Sequence, residues 1–160
     1  MKNDSNFSDP NFLRIENSII LDTNIILDHF VFNDPNLASI KPTLLAGLES
    51  KQLNWIATAD MRIELERVLS YPKITPRMAF YQVTADNVLA KFDQLATLVD
   101  PAPKAKWACK DPDDQRFIDL AVQHQATLLS KDQAILCMAK RLATAGAVVQ
   151  QATEFTHSPA

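Results

Sequence analysis

The sequence predicts an α/β fold with a parallel sheet that is covered on both faces. Short apolar runs alternate along the chain with longer segments in which apolar residues recur at helical spacing. This alternation is typical of strands and helices that follow one another in turn. The short runs are apolar without interruption, as expected of strands with helices packed against both sides. The chain has 160 residues, which suits one domain of ordinary size.

The composition excludes several classes of protein. Apolar residues make up 47% of the chain, which is typical of a globular protein rather than a disordered one. The net charge of −3 argues against a protein that coats nucleic acid, because such proteins are basic. It still allows an enzyme with a basic rim around an acidic metal site.

The cysteines and the apolar runs predict a cytoplasmic protein. Cys109 and Cys137 have neither a CxxC spacing nor a zinc-like spacing, so we interpret both as reduced thiols. The longest uncharged apolar run is far too short to span a bilayer. The first ten residues are polar and contain no apolar signal region, so we expect neither export nor membrane attachment.

Caps and prolines mark the borders of the elements. Thr58 is expected to cap one helix, Tyr71-Pro72 to end it, and Thr75-Pro76 to begin another. The predicted strands are 19–22, 53–57, 97–99, 126–130 and 147–150. The predicted helices are 23–30, 36–50, 59–69, one or two segments over 75–95, a helix that opens at 111–114, and 131–144. We expect an N-terminal arm over 1–17, a folded domain over 18–150 and a loose polar tail over 151–160.

Asp22 stands at the end of the first predicted strand. Ile19, Ile20 and Leu21 run directly into it, which places its carboxylate at the edge where ligands bind in open α/β sheets. The alternative is that Asp22 only caps the helix 23–30, because Asp is a favoured N-cap residue.

Glu64 lies on the predicted helix 59–69. At about 100° per residue it flanks the apolar stripe of that helix, whereas Glu66 points away from the stripe. A carboxylate beside a buried face is costly unless something compensates its charge. The alternative is a rim acid that is solvated or paired with Arg67.

Three acids crowd the start of a later helix. Asp111 and Pro112 suit the N-cap and the first helical position, and Asp113 and Asp114 suit the positive end of the helix. Asp114 shares a helix face with the apolar Phe117 and is therefore the best placed to point inward. Three acids within four residues repel one another, which a nearby cation would relieve.

Asp132 follows the predicted strand 126–130. Ser130 and Gln133 form a capping-box pattern around it, so the alternative is simple first-turn helix chemistry. Taken together, two acids follow apolar strands, and Asp114 opens the helix that leads into the second of those strands. We therefore expect Asp22, Asp114 and Asp132 to gather at one sheet edge with Glu64 nearby, and the four to bind a divalent metal.

Four short motifs stand in a characteristic order. They are ILDTN at 20–24, ELERVL at 64–69, CKDPDDQRF at 109–117 and LSKD at 129–132. In this order and at these spacings they resemble the motifs of PIN-domain nucleases, in particular those of VapC-like toxins from bacterial toxin–antitoxin pairs. The resemblance covers most of the chain, from Ser18 to Val149.

The resemblance implies a three-layer α/β/α sandwich and an endoribonuclease that hydrolyses RNA phosphodiester bonds with Mg²⁺ or Mn²⁺. It also implies that 18–150 is a PIN-like nuclease domain, with an antitoxin protein and a second copy of the chain as candidate partners. The positions matching the acidic catalytic and metal-binding quartet are Asp22, Glu64, Asp114 and Asp132. Asn24 matches the polar residue that orients the first acid, and Ser130 matches the small hydroxyl residue before the last acid.

The chain departs from this pattern in two places. Lys131 stands where the family often has glycine, and Asp111 and Asp113 crowd Asp114. No basic side chain is fixed by the motifs for phosphate contact. The candidates near the acids are Lys104, Lys106, Lys110, Arg116 and Lys131.

Other functional classes fit the sequence less well. A haloacid-dehalogenase-like phosphatase would need a second Asp two residues after Asp22, where this chain has Asn24. A non-catalytic domain that binds metal or a protein partner remains the other alternative. A dinucleotide-binding domain would need a glycine-rich phosphate loop, and Gly47 and Gly146 are the only glycines in the chain.

Overall fold

The centre of the protein is a five-stranded, all-parallel sheet. The structure is a computed structural model that describes residues 15–32 and 41–155, together with Pro35 and Ala38. The strands are β1 (Ser18–Leu21), β2 (Asn54–Ala57), β3 (Ala96–Leu98), β4 (Thr127–Leu129) and β5 (Val148–Gln150). Their order across the sheet is β3-β2-β1-β4-β5.

The strand order places a switch point in the middle of the sheet. From β1 the chain moves to β2 and β3 on one side, and then returns to β4 and β5 on the other. Ser18 pairs with Asn54 of β2, and Ile20 pairs with Leu128 of β4. Ligands bind outside the carboxyl ends of the strands at such a point, and Asp22 follows β1 there.

The helices alternate with the strands as the sequence predicts. They are α1 (Thr23–Phe30), α2 (Lys41–Ser50), α3 (Ala59–Val68), α4 (Thr75–Phe80), α5 (Ala85–Leu95), α6 (Gln115–His124), α7 (Gln133–Leu136) and α8 (Ala139–Ala143). Short 3₁₀ turns cover Pro112–Asp114 and Ala152–Glu154. Within the described ranges the longest helix has 11 residues, and no helix is long and apolar enough to cross a membrane.

The core lies on both faces of the sheet. Ile19 and Ile20 are neighbours in β1 whose side chains point to opposite faces, and both are fully buried. Phe117 of α6 is also buried, and Phe92 of α5 meets Trp55 of β2 edge-on with 5.1 Å between the ring centroids. The predicted three-layer α/β/α arrangement with a central parallel sheet is therefore confirmed.

The helix predicted over 131–144 is two helices. Cys137 and Met138 lie between α7 and α8, and the Met138 N–H donates to the Ile135 carbonyl three residues back at 3.0 Å. Neither glycine nor proline marks the break in the sequence. Ile135, Met138 and Leu142 are all buried, so the predicted apolar stripe is correct although the backbone is not one continuous helix.

The structure describes only part of each predicted end of the chain. Residues 1–14 of the predicted arm and 156–160 of the predicted tail lie outside the described residues, as does the predicted start of the second helix at Asn36. The prediction of a loose tail is wrong for its first residues. Residues 151–155 include a 3₁₀ turn, and Ala152 and Phe155 are buried against the domain, because these two apolar side chains join the core.

Candidate metal centre and active site

One cavity of about 460 Å³ is lined by all four acids of the predicted quartet. Asp22 and Asp132 follow the neighbouring strands β1 and β4, Glu64 projects from α3, and Asp114 ends the 3₁₀ turn before α6. Asn24 lines the same cavity. Because the strands are parallel, segments that are far apart in sequence meet at one sheet edge.

Asp22 occupies the N-cap position of α1 but does not cap the helix with its side chain. Its carboxylate is 5% exposed and accepts a hydrogen bond from the Ser130 hydroxyl at 2.8 Å. Its backbone N–H donates to the Leu129 carbonyl of β4 at 3.1 Å. The capping alternative therefore does not describe this side chain, and a hydroxyl on the adjacent strand end fixes its direction.

Glu64 is held by two partners from other elements. The Thr23 hydroxyl donates to Oε2 at 3.0 Å, and Nη1 of Arg116 lies 3.5 Å from Oε1. The alternative pairing with Arg67 is absent from the described contacts of Glu64. Thr58 caps α3 by accepting from the Met61 N–H, as predicted, so the helix carrying Glu64 begins at the predicted residue.

Asn24 is exposed on α1. Among the described residues, the side-chain hydrogen bond to Asp22 comes from Ser130 rather than from Asn24. The role of Asn24 in orienting Asp22 stays a prediction.

Asp111 and Asp114 make different contacts at the start of α6. Asp111 accepts from the Asp113 N–H at 3.0 Å, with Pro112 at the first position of the 3₁₀ turn. Asp111 therefore caps the 3₁₀ turn, whereas Asp114 makes no side-chain capping bond to α6. Oδ2 of Asp114 is buried and has no hydrogen-bond partner in the part of the chain that the structure describes.

Asp132 does cap its own helix. Its side chain accepts from the Ala134 N–H at 2.9 Å, and its backbone N–H donates to the Ser130 hydroxyl at 3.0 Å. Ser130 is fully buried and therefore joins the two strand ends, since it donates to Asp22 and accepts from Asp132.

A tight trio of carboxylates lies within the cavity. One oxygen each from Asp111, Asp114 and Asp132 lie within 4.8 Å of one another. In the described ranges this is the one such trio, and it contains Asp111 rather than Asp22 or Glu64. The four predicted acids thus share the cavity, but the tight trio includes Asp111, a residue outside the predicted quartet.

Burial and crowding disfavour the ionised acids. Burial, and then the adjacent carboxyl of Asp132, raise the pKa of Asp114 to about 8. Burial also raises the pKa of Asp22, although the hydrogen bond from Ser130 opposes this shift. A cation placed among these groups would favour their ionised forms. The buried, unpartnered oxygen of Asp114 and the all-oxygen donor set fit a hard divalent cation such as Mg²⁺ or Mn²⁺.

A side-chain network ties the preceding loop to α6. Oδ1 of Asp119 accepts from the Ala105 N–H at 2.8 Å and from the Gln115 amide at 2.9 Å. Oε1 of Gln115 accepts from the Cys109 N–H at 2.6 Å. This network holds the segment just before Asp111. The i, i+4 spacing of Gln115 and Asp119 favours their hydrogen bond, but no local pattern pairs them with the backbone of Ala105 and Cys109.

Cys109 is a packed thiol. Its sulfur is buried and donates to the Ala134 carbonyl at 3.4 Å. Burial raises the pKa of the thiol, which is the opposite of what a cysteine nucleophile needs.

Basic side chains also reach the cavity, and only one of them was expected. Of the predicted phosphate-contact candidates, Arg116 lines the cavity, whereas Lys131 forms an ion pair with Asp28 at 2.8 Å. Arg67 and Lys73 line the cavity as well. The sequence could have indicated both cations. Arg67 lies three residues after Glu64, and Lys73 follows Pro72, which was predicted to end the same helix.

Comparison with known proteins supports one family. A family model described as a PIN domain matches residues 18–134. No similar protein was found among the curated proteins or among the solved structures. PIN domains are generally metal-dependent nucleases. Since the match spans well over half of the 160 residues, the chain belongs to the PIN domain family.

Proposed function

We propose that the protein is a Mg²⁺- or Mn²⁺-dependent endoribonuclease that hydrolyses RNA phosphodiester bonds. Its catalytic and metal-binding acids would be Asp22, Glu64, Asp114 and Asp132. The observation that carries the proposal is the convergence of these four acids on one cavity in a chain of the PIN domain family. Nothing in their sequence spacing would bring them together without the parallel sheet.

The metal would be held mainly by Asp114 and Asp132, with Asp22 beside them and Glu64 across the cavity. Asp111 is a further candidate ligand, since its carboxylate belongs to the tight trio. When bound, the metal would supply an activated water and offset negative charge on the phosphate.

The remaining polar residues would orient the acids. The Ser130 hydroxyl fixes Asp22, and the Thr23 hydroxyl fixes Glu64. Arg116 lies beside Glu64 and within the cavity, so its guanidinium can contact a substrate phosphate without a large movement. Such fixed donors matter because a reacting group that is misplaced by about 1 Å can lose about 10²-fold in rate.

The first experiment measures cleavage directly. Purified protein with Mg²⁺ or Mn²⁺ should cut members of a panel of single-stranded and structured RNAs, and chelator should stop the reaction. Asp22→Asn protein purified in the same way is the matched control for contaminating nucleases. If the folded, metal-supplied parent leaves the whole panel intact, the nuclease proposal is wrong.

A phosphatase assay separates the main alternative. A haloacid-dehalogenase-like enzyme would release phosphate from a small phosphoester, whereas we expect no release above the Asp22→Asn background. Asn24 occupies the position where that mechanism needs a second acid, and membership of the PIN domain family favours the nuclease. A non-catalytic metal-binding domain would be inactive in both assays.

We further propose that the enzyme acts in the cytoplasm as the toxin of a toxin–antitoxin pair, with a homodimer as the candidate assembly. The proposal is supported by the family, which is often paired with antitoxins, and by two free cysteines, which suit a reducing compartment. A small neighbouring gene for a DNA-binding protein that relieves growth arrest on co-expression would support it. Growth unaffected by expression of active enzyme would contradict it.

A further inference from the structure

We propose that Arg67, Tyr71 and Lys73 form a binding wall for an unpaired RNA strand, in which Tyr71 stacks on a base and the two cations hold phosphates. The inference rests on the proposed nuclease function and names the form of RNA that the site accepts. All three residues line the same cavity as the acids. We call these three residues the basic-aromatic wall.

Tyr71 is an exposed aromatic side chain on a well-fixed backbone. It is 43% exposed although it lies beside the catalytic cavity. Its N–H donates to the Val68 carbonyl at 3.0 Å, and its carbonyl accepts from the N–H groups of Ile74 at 2.9 Å and Thr75 at 3.0 Å. A ring on a backbone held in this way loses little freedom when a base stacks on it, and every base offers a face for stacking.

Arg67 and Lys73 are cations without an acidic partner among the described residues. Other basic side chains are engaged, since Arg116 pairs with Glu64 and Lys131 pairs with Asp28. Arg67 lies three residues after Glu64 on α3, so both face the same side of the helix. In a chain of net charge −3, unpaired cations beside an acidic cavity can offset the repulsion between the acids and an RNA backbone.

The combination favours an unpaired strand over a duplex. Bases in a duplex have both faces covered by their neighbours, whereas loops and single strands can turn a base out onto an aromatic side chain. The cavity volume of about 460 Å³ lies in the range that accommodates a small organic ligand. The wall would therefore position a nucleotide next to the phosphodiester bond that water cleaves at the acidic site.

The test measures RNA binding in chelator, so that no strand is cut. Fluorescence anisotropy of a labelled 12-nucleotide single strand would compare the parent with Tyr71→Ala, Tyr71→Phe and Phe80→Ala. Phe80 is 79% exposed and lies outside the cavity lining, which makes it the matched control. We expect Tyr71→Ala to weaken binding by about 5- to 150-fold, the effect of losing one base–aromatic stack. Tyr71→Phe and Phe80→Ala should bind like the parent.

Two further measurements separate stacking from a structural role. Removing one base at a time from the RNA should reveal one position where the loss weakens the parent but not Tyr71→Ala. Arg67→Gln and Lys73→Gln should each reduce the slope of log affinity against log salt by about 0.7, as expected for one lost phosphate contact on a single strand. A matching hairpin stem should bind more weakly than the single strand.

The outcomes distinguish this inference from the nuclease proposal. If the parent cuts RNA with Mg²⁺ but Tyr71→Ala binds as tightly as the parent, the binding wall is wrong and the nuclease stands. An equal effect of every missing base in both proteins, or equal binding of the stem, also overturns the wall. A parent that neither binds nor cuts RNA contradicts both proposals.

Discussion

Asp22 and Asp132 stand in the same local pattern, but the fold uses their carboxylates differently. Each follows a buried strand and precedes a helix, and the two strands, β1 and β4, are neighbours in the sheet. Asp132 caps its helix through the Ala134 N–H. Asp22 makes no capping bond and instead accepts a hydrogen bond from Ser130.

The difference shows that a strand–Asp–helix pattern does not by itself assign a role. At Asp132 the structural role is compatible with the proposed metal-binding role, because Oδ1 accepts from the Ala134 N–H and the same carboxylate belongs to the tight trio. At Asp22 no side-chain capping bond forms, and burial raises its pKa although hydrogen bonds with the Ser130 side chain and the Thr23 backbone oppose this shift. A buried carboxylate of this kind is costly in a metal-free protein, which makes Asp22 the stronger sign of a cation site.

The largest expected effect is the same at both positions. Asp22→Asn and Asp132→Asn should each lower the rate of RNA cleavage by orders of magnitude, since each would remove a ligand of the activating metal. Single-turnover cleavage with Mg²⁺ measures this loss.

Neighbouring acids provide the controls for that experiment. Asp113 and Glu66 are exposed and adjoin proposed ligands, so Asp113→Asn and Glu66→Gln should change the rate far less. If either control is the more damaging substitution, the assignment of the inward-facing acids is wrong.

The next effect concerns thermal stability, and it separates the two positions because only Asp132 caps its helix with its side chain. In chelator, Asp22→Asn should raise the melting temperature, because it removes a buried charge without removing a cap. Asp132→Ala should be less stable than Asp132→Asn by about 0.5–2 kcal/mol, because Asn retains the cap and Ala does not. Thermal unfolding of the three variants and the parent in chelator measures both effects.

Stabilisation by Mg²⁺ gives a second comparison between the parent and Asp22→Asn. At 100 times Kd the ion should stabilise the parent by about 2.7 kcal/mol, and it should stabilise Asp22→Asn less, because the site of the variant is weaker. A variant that is less stable than the parent in chelator and gains equally from Mg²⁺ would show that Asp22 is structural.

The last expected effect is a pH dependence of the metal-free protein. The folded pKa of Asp114 is raised to about 8, above the value of about 3.9 for an unfolded chain. Between these values the folded state holds a proton that the unfolded state has released, so stability in chelator should fall as the pH rises from about 4 to about 8. The raised pKa of Asp22 acts in the same direction.

Melting temperatures from pH 5 to pH 8 measure this slope. Asp114→Asn should flatten it, since the variant has no proton to lose there. Asp93, whose pKa is lowered by Arg62, changes its contribution only at more acidic pH and does not interfere. A parent whose stability rises with pH in chelator would contradict the raised pKa values.

Much of the fold follows from local pattern. The five strands and the start of α3 at Thr58 were predicted to within a few residues, because burial of apolar runs and capping act over short stretches of chain. The strand ends before Asp22 and Asp132, and the helix start at Asp114, then predicted three acids at one edge with Glu64 nearby. The break at Cys137 and Met138 was missed, because buried residues continue at helical spacing across it.

The sequence by itself determined which residues have the chemistry of a metal site and which strand ends carry them. Tertiary structure decided where each carboxylate points and what holds it. Ser130 binds Asp22 across 108 positions of sequence, and Glu64 takes its partners from α1 and α6 rather than from Arg67 on its own helix. Local periodicity fixes which side of an element is buried, whereas the direction of a polar side chain depends on donors and charges that only packing brings within a few ångströms.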